Sequence, residues 1–201
     1  TSSSITPPIT RSAVGGPVSV IGDPTEFLIS SCKFDQTTGL IASAIRIELR
    51  GVFAKTQEDA SFTIEKTIFE RGHSLMSTVF FSRNVMDTKE PKSVIWMKQC
   101  KFLKNVLTAN EIEKKSFATA AAFVLYAVSF DVVLNLHDTL FEQNYGVTAA
   151  SALYSYDVDV FIRDSRFVRN GNTVWGAYKD TLYYAIHGGD KLPKTSGVTK
   201  A

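Results

Sequence analysis

Apolar and polar residues alternate along this chain at two-residue steps, and the alternation slips once at recurring places. Taking Phe34, Phe69, Phe102, Phe141 and Phe167 as anchors aligns five copies of the pattern, spaced 35, 33, 39 and 26 residues apart. Seven residues before the anchors stand Phe27, Phe62, Ile95, Leu134 and Val160, and five before stand Ile29, Ile64, Met97, Leu136 and Ile162. Two before stand small side chains, Cys32, Thr67, Cys100, Thr139 and Ser165. Two-residue steps present side chains to one face of a strand, and the odd step before the small residue marks a kink. Enrichment in Val, Ile, Phe and Thr favours strand over helix. Three after the anchors come Thr37, Gly72, Asn105, Asn144 and Asn170. Asn and Gly tolerate positive φ, so a corner is expected at that residue.

A second element follows each corner: Ser43-Ala-Ile45, Ser77-Thr-Val79, Ala121-Ala-Phe123, Ser151-Ala-Leu153 and Gly176-Ala-Tyr178. Its middle residue lies 10, 9, 20, 11 and 10 residues after the anchor, so the third copy alone carries extra chain, assigned to about 106–115 as a surface loop or short helix. A unit of a kinked strand, a corner and a short strand cannot bury its own apolar face, so copies must stack. The expected fold is all-β: a right-handed parallel β-helix, or solenoid, of about five coils, with equivalent residues about 4.8 Å apart. The organisation expected is an extended Ser/Thr/Pro lead-in over 1–13, a β-helix domain over 14–187 and a loose tail over 188–201. The chain begins at Thr1 rather than Met, as expected of a processed product or excised segment.

The sequence resembles the polymorphic outer membrane protein repeat family, whose coils carry Phe-x-x-Asn and Gly-Gly-Ala-Ile motifs. Phe102-Leu-Lys-Asn105, Phe141-Glu-Gln-Asn144 and Phe167-Val-Arg-Asn170 match the first motif; Ser43-Ala-Ile45 and Ser151-Ala-Leu153 are degraded versions of the second. Phe34 and Phe69 keep the Phe and lose the Asn. The resemblance spans most of residues 24–186 and implies a β-helix in a surface setting, with roles in adhesion or exposed repetitive structure. The repeat logic also predicts that Asn105, Asn144 and Asn170 stack into an amide ladder that fixes register, so that Asn144→Ala costs more stability than the same change at Asn110.

Composition adds few constraints on chemistry. With 22 basic and 20 acidic residues interspersed, net charge is +2 and mean hydropathy +0.01, which gives no stripe for nucleic acid. The apolar stretch 117–128 is too short for a bilayer helix of about 20 residues and reads as core, so no membrane-spanning segment is expected. Fourteen Phe against two Trp stand out, and most fall in the inward columns.

Cys32 and Cys100 share a column with one copy between them. Their Cα atoms should therefore lie about 9–10 Å apart, beyond the reach of a disulfide, and two buried free thiols are expected. His73, His137 and His187 are scattered, and no metal or cofactor is expected. One constellation resembles acid/base machinery: His137 and Asp138 align with Arg163 and Asp164 of the next copy, near Arg166, which is also what ordinary surface charge pairs look like. Trp96, Tyr154, Tyr156, Tyr178, Tyr183 and Tyr184 are candidates for a sugar-stacking platform or for packing. The segment Leu192-Pro-Lys-Thr-Ser-Gly197 departs from a sortase signal at Ser196 and is discounted.

The function expected is a non-enzymatic structural or adhesive surface protein, extracellular or on the cell surface. It would self-associate through open β-helix ends into a filament, with surface carbohydrate as a further partner. The alternative is a polysaccharide-acting lyase or glycosidase, or a carbohydrate-binding segment of a larger adhesin.

Overall fold

The computed structural model describes residues 17–22, 26–49, 60–84, 93–107, 121–128, 132–146, 151–156, 158–172, 183–184, 194–197 and 199–200. Among them the structure is all-β, with no helix. After β1 (Val18–Gly22) the strands come in groups of four. The first group is β2 (Glu26–Ser30), β3 (Lys33–Asp35), β4 (Thr38–Gly39) and β5 (Ala42–Leu49). The second is β6 (Ala60–Glu65), β7 (Ile68–Glu70), β8 (His73–Ser74) and β9 (Ser77–Asn84). The third is β10 (Ser93–Lys98), β11 (Lys101–Leu103), β12 (Val106–Leu107) and β13 (Phe123–Val128). The fourth is β14 (Val132–His137), β15 (Leu140–Glu142), β16 (Tyr145–Gly146) and β17 (Leu153–Tyr156). The fifth is β18 (Asp159–Arg163), β19 (Arg166–Val168), β20 (Gly171–Asn172) and β21 (Tyr183–Tyr184), and β22 (Lys194–Ser196) and β23 (Thr199–Lys200) follow.

Each strand pairs in parallel with the strand four places along, which sorts them into four parallel sheets. We call them sheet I (from β1), II (from β2), III (from β3) and IV (from β4). Register follows the sequence columns: Phe27, Phe62, Ile95, Leu134 and Val160 are partners across sheet II, and the five anchor Phe residues are partners across sheet III. The anchor rings stack with centroids 5.3, 4.6, 4.9 and 4.8 Å apart and planes within 16° of parallel. Strand spacing thus becomes ring spacing. Burying one Phe removes roughly 150–250 Å² from water, which at about 25 cal/mol per Å² is about 4–6 kcal/mol before entropy.

The kink has a definite cause. In every copy the residue three before the anchor is left-handed: Ser31, Lys66, Gln99, Asp138 and Asp164 have φ between 49° and 55°. Their N–H groups still bond the neighbouring copy, as in Lys66 N–H to the Lys98 carbonyl at 2.9 Å. The next residue is the small one, and its side chain donates back across the kink to the carbonyl two residues earlier. Thr67 Oγ1 reaches Glu65 O at 2.8 Å, Thr139 Oγ1 reaches His137 O at 3.1 Å, and Ser165 Oγ reaches Arg163 O at 2.9 Å. Cys32 and Cys100 do the same with Sγ, at 3.3 and 3.4 Å. That column selects a short donor, not smallness alone.

The second corner corrects the expectation of positive φ three after the anchor. The left-handed residue lies two after it, at Gln36, Arg71, Lys104, Gln143 and Arg169. The Asn residues that follow are instead buried side-chain ladders. Asn144 Nδ2 donates to Phe102 O (3.0 Å) and Asn170 Oδ1 (2.9 Å), while its Oδ1 accepts from Asn105 N (3.1 Å) and Nδ2 (2.9 Å). Asn105 Nδ2 likewise reaches Phe69 O at 3.1 Å, its Oδ1 accepts from Gly72 N at 2.9 Å, and Asn170 Nδ2 reaches Phe141 O at 2.9 Å.

Three further expectations change. Val106 and Leu107, taken as the start of the insertion, form β12, and Val106 is in register with His73 and Tyr145; the extra chain therefore begins after Leu107, and 108–115 lies outside the described residues. The tail is not uniformly loose: β22 extends sheet II beside Phe161–Arg163 and β23 extends sheet III beside Arg166 and Phe167. Gly197, with φ 61°, takes the left-handed position of this sixth, partial copy, so the backbone pattern outlasts the Phe pattern. Of the two thiols, both free, only Cys100 is buried; Cys32 is exposed because β2 and β3 are outermost in their sheets. The lead-in 1–13 and Gly176-Ala-Tyr178 lie outside the described residues.

Candidate functional site

Sheet II turns one set of side chains inward and the other outward, as the alternating burial of β10, Ser93–Lys98, and β14, Val132–His137, shows. Its outward columns carry three of the residues singled out from the sequence, Trp96, His137 and Arg163. Register brings Trp96, Asn135 and Phe161 into one column and Lys98, His137 and Arg163 into the next. Lys98 Nζ lies 4.5 Å from the centre of the Trp96 ring. Phe161 is 37% exposed, an outward aromatic beyond the Trp and Tyr residues expected to form a platform.

Three members of the acid/base constellation, His137, Arg163 and Asp164, come together at the edge of this face. His137 Nε2 lies 3.4 Å from Asp164 Oδ2, and Arg163 Nε lies 3.1 Å from the same oxygen. The three side chains are 45%, 52% and 72% exposed for His137, Asp164 and Arg163. Water therefore screens the pairs, and surface ion pairs of this kind are worth about 0–1 kcal/mol. Asp138 and Asp164 are both left-handed corner residues, with φ of 49°. On its other oxygen Asp164 meets the terminal strands: a Cβ on Gly197 would come within 2.3 Å of Oδ1. Asp164 is thus a corner, an ion-pair partner and a packing surface for the last copy. Each of these is a structural role.

The aromatic platform is dispersed. Trp96 is on sheet II, whereas Tyr154, Tyr156, Tyr183 and Tyr184 belong to strands of sheet I, and Tyr154 is buried. Tyr178 and His187 lie outside the described residues, and His73 sits on β8 in sheet IV. Among the described residues no three His, Cys, Asp or Glu side chains group to hold a metal ion, and no helix is long and apolar enough to cross a membrane.

A second charged cluster lies at the N-terminal edge of sheet III. Arg71 pairs with Asp35 in two hydrogen bonds (2.9 and 2.5 Å), and Lys33 bridges Glu70 (2.9 Å) and Asp35 (3.5 Å). The Arg71 guanidinium holds the Asp35 carboxyl below the usual carboxylate range, and Glu70, with help from Asp35, pushes Lys33 upward. In the core, burial pushes the Cys100 thiol up to about 11. Comparison with family models, curated proteins and solved structures returns no match to this chain.

Proposed function

We propose that the chain is a right-handed parallel β-helix of five coils and serves as a non-enzymatic structural or adhesive surface element that associates through its N-terminal end. The four-strand pairing interval supports the coil. Parallel connections within one sheet are right-handed in about 98% of cases, which gives the hand.

The observation that carries the functional reading is the difference between the two ends. At the N-terminal end the apolar columns run to the outermost strands, where Phe27, Phe34, Val18 and Val20 are only partly buried. At the C-terminal end the register sets Thr195 beside Ile162 and Lys200 beside Phe167, so these two apolar columns of sheets II and III finish in polar residues. Open sheet edges with apolar columns recruit another chain, and polar terminal repeats close a stack. An end-to-end pair joined at the N-terminal faces satisfies both ends. The head-to-tail filament expected from the sequence would set Lys200 against Phe34 of the next copy.

Light scattering over a wide concentration range, with negative-stain microscopy, tests this. Closed dimers that Phe34→Glu dissociates support the proposal. A monomer at every concentration removes it, and long filaments restore the head-to-tail arrangement. The polysaccharide-cleaving alternative rests on the His137, Asp164 and Arg163 cluster alone; loss of a measured cleavage activity in both Asp138→Asn and Asp164→Asn would establish it.

A further inference from the structure

The amide ladder stops short of the N-terminal end, and the place where it stops is polar. In the later copies each Asn amide performs two tasks for the preceding copy. Its Oδ1 accepts from the backbone N–H in the Asn column, and its Nδ2 donates to the anchor Phe carbonyl. In the second copy that position is Gly72, so the corresponding groups of the first copy, the Thr37 N–H and the Phe34 carbonyl, face a residue with no side chain. Three buried hydroxyls in the same region lack a hydrogen-bond partner: Thr37 Oγ1, Ser43 Oγ and Ser77 Oγ. Ser43 and Ser77 are fully buried, and Thr37 is 8% exposed. A Cβ built on Gly72 would meet Ser43 Oγ at 2.5 Å, Asn105 Oδ1 at 2.9 Å and Thr78 Oγ1 at 3.1 Å, so oxygen atoms converge on the position an Asn side chain would leave from.

We infer that this slot is a buried water site, in which one ordered water takes over the amide's two tasks and extends the ladder to the first copy. A water accepts from Thr37 N–H and donates to the Phe34 carbonyl, the same donor and acceptor count the missing amide would supply. Ser43 Oγ, beside the same position, is a third partner, within the 2–4 polar partners that buried waters ordinarily have. Buried hydroxyls without partners are costly, and hydration removes that cost. A metal cation is the wrong occupant, because the slot presents an N–H donor and neutral hydroxyls and no carboxylate. Gly72 is required for access rather than for its backbone, since its φ is not in the left-handed region.

A crystal structure at a resolution that shows solvent is the direct test. One water about 2.7–3.2 Å from both Thr37 N and Phe34 O is expected, and an empty slot overturns the inference. The double variant Gly72→Asn with Ser43→Ala supplies the amide and clears the hydroxyl in its way. It is expected to lose the water and melt about 2–4 °C higher. A folded double variant that keeps the water, or that melts lower, counts against the assignment. Melting that depends on whether sodium, potassium or N-methylglucamine is the salt cation would show that the occupant is an ion and overturn it too.

Discussion

Replacing Asn144 with Ala removes the central rung of the ladder, and the cost follows from what is left behind. The residue is fully buried, and its side chain makes four hydrogen bonds. Some of its partners keep an alternative: Asn105 Nδ2 still reaches Phe69 O, and Asn170 Oδ1 still accepts from Asn144 N. The Asn105 N–H has none and becomes a buried, unsatisfied donor, which costs about 1–3 kcal/mol. The void left by the amide adds about 1 kcal/mol more, for a total of about 2–4 kcal/mol. For a chain of this size that lowers the melting temperature by about 10 °C. Calorimetry or circular dichroism on Asn144→Ala, beside Asn135→Ala on the partly exposed outer column of sheet II, is the assay. Asn135→Ala should shift melting by about 1–2 °C at most. Equal shifts at the two positions would refute the claim that the ladder fixes register. Asn144→Asp sharpens the test: its buried carboxylate accepts but cannot donate until protonated, so this variant should be weakest at neutral pH and recover as pH falls.

Three further outcomes are expected. Thiol titration of the folded protein should label Cys32 promptly and Cys100 only on unfolding, because Cys100 is buried with its thiol raised to about 11. Lys104 is exposed and left-handed at φ 55°, so Lys104→Gly should raise melting by about 1–3 °C, whereas Gly197→Ala, which meets both a φ of 61° and the Asp164 carboxylate, should release the terminal strands and raise their hydrogen-exchange rate. The Asp35 carboxyl is held low by Arg71, so the pair's contribution is complete above the unfolded carboxylate value of about 3.9 and is lost as pH falls through the lower folded value. Arg71→Met should therefore lower stability slightly across the neutral region, with the two stability profiles converging as pH falls below the folded Asp35 value.

The columns from seven before to three after the anchor were legible because inward side chains must repeat when copies stack. The same argument made the Asn ladder readable from Phe-x-x-Asn alone. Two things were not. The left-handed residues carry no signal, since Ser, Lys, Gln, Asp and Arg fill positions whose neighbours impose the conformation. The terminal strands were invisible because hydrophobic pattern was the detector, and Lys194–Ser196 and Thr199–Lys200 pair through backbone groups with no apolar column. At the candidate site, spacing brought His137, Arg163 and Asp164 together correctly. Whether Tyr154 faced the same way as Trp96 depended on which sheet each strand joined, which no local pattern states.

Why the copies differ in length while their stacks stay in register follows from where length is permitted. The link from sheet II to sheet III is always two residues, 31–32, 66–67, 99–100, 138–139 and 164–165, a left-handed residue and then a short donor. The link from sheet III to sheet IV is also always two, 36–37, 71–72, 104–105, 143–144 and 169–170, a left-handed residue and then the ladder position. One added residue at either corner would displace a Phe ring, a buried donor and an amide together, because all three are fixed to the same backbone run. The links on either side of sheet I obey no such rule: 50–59, 85–92, 129–131 and 157–158 lead out of it, and 108–122 leads into it in the third copy against 147–152 in the fourth. Length variation is therefore confined to the two borders of sheet I. Differences between copies in what they present to a partner are expected there, and a graft or deletion at 108–120 should leave the melting temperature of the stacked columns within about 2 °C of the parent.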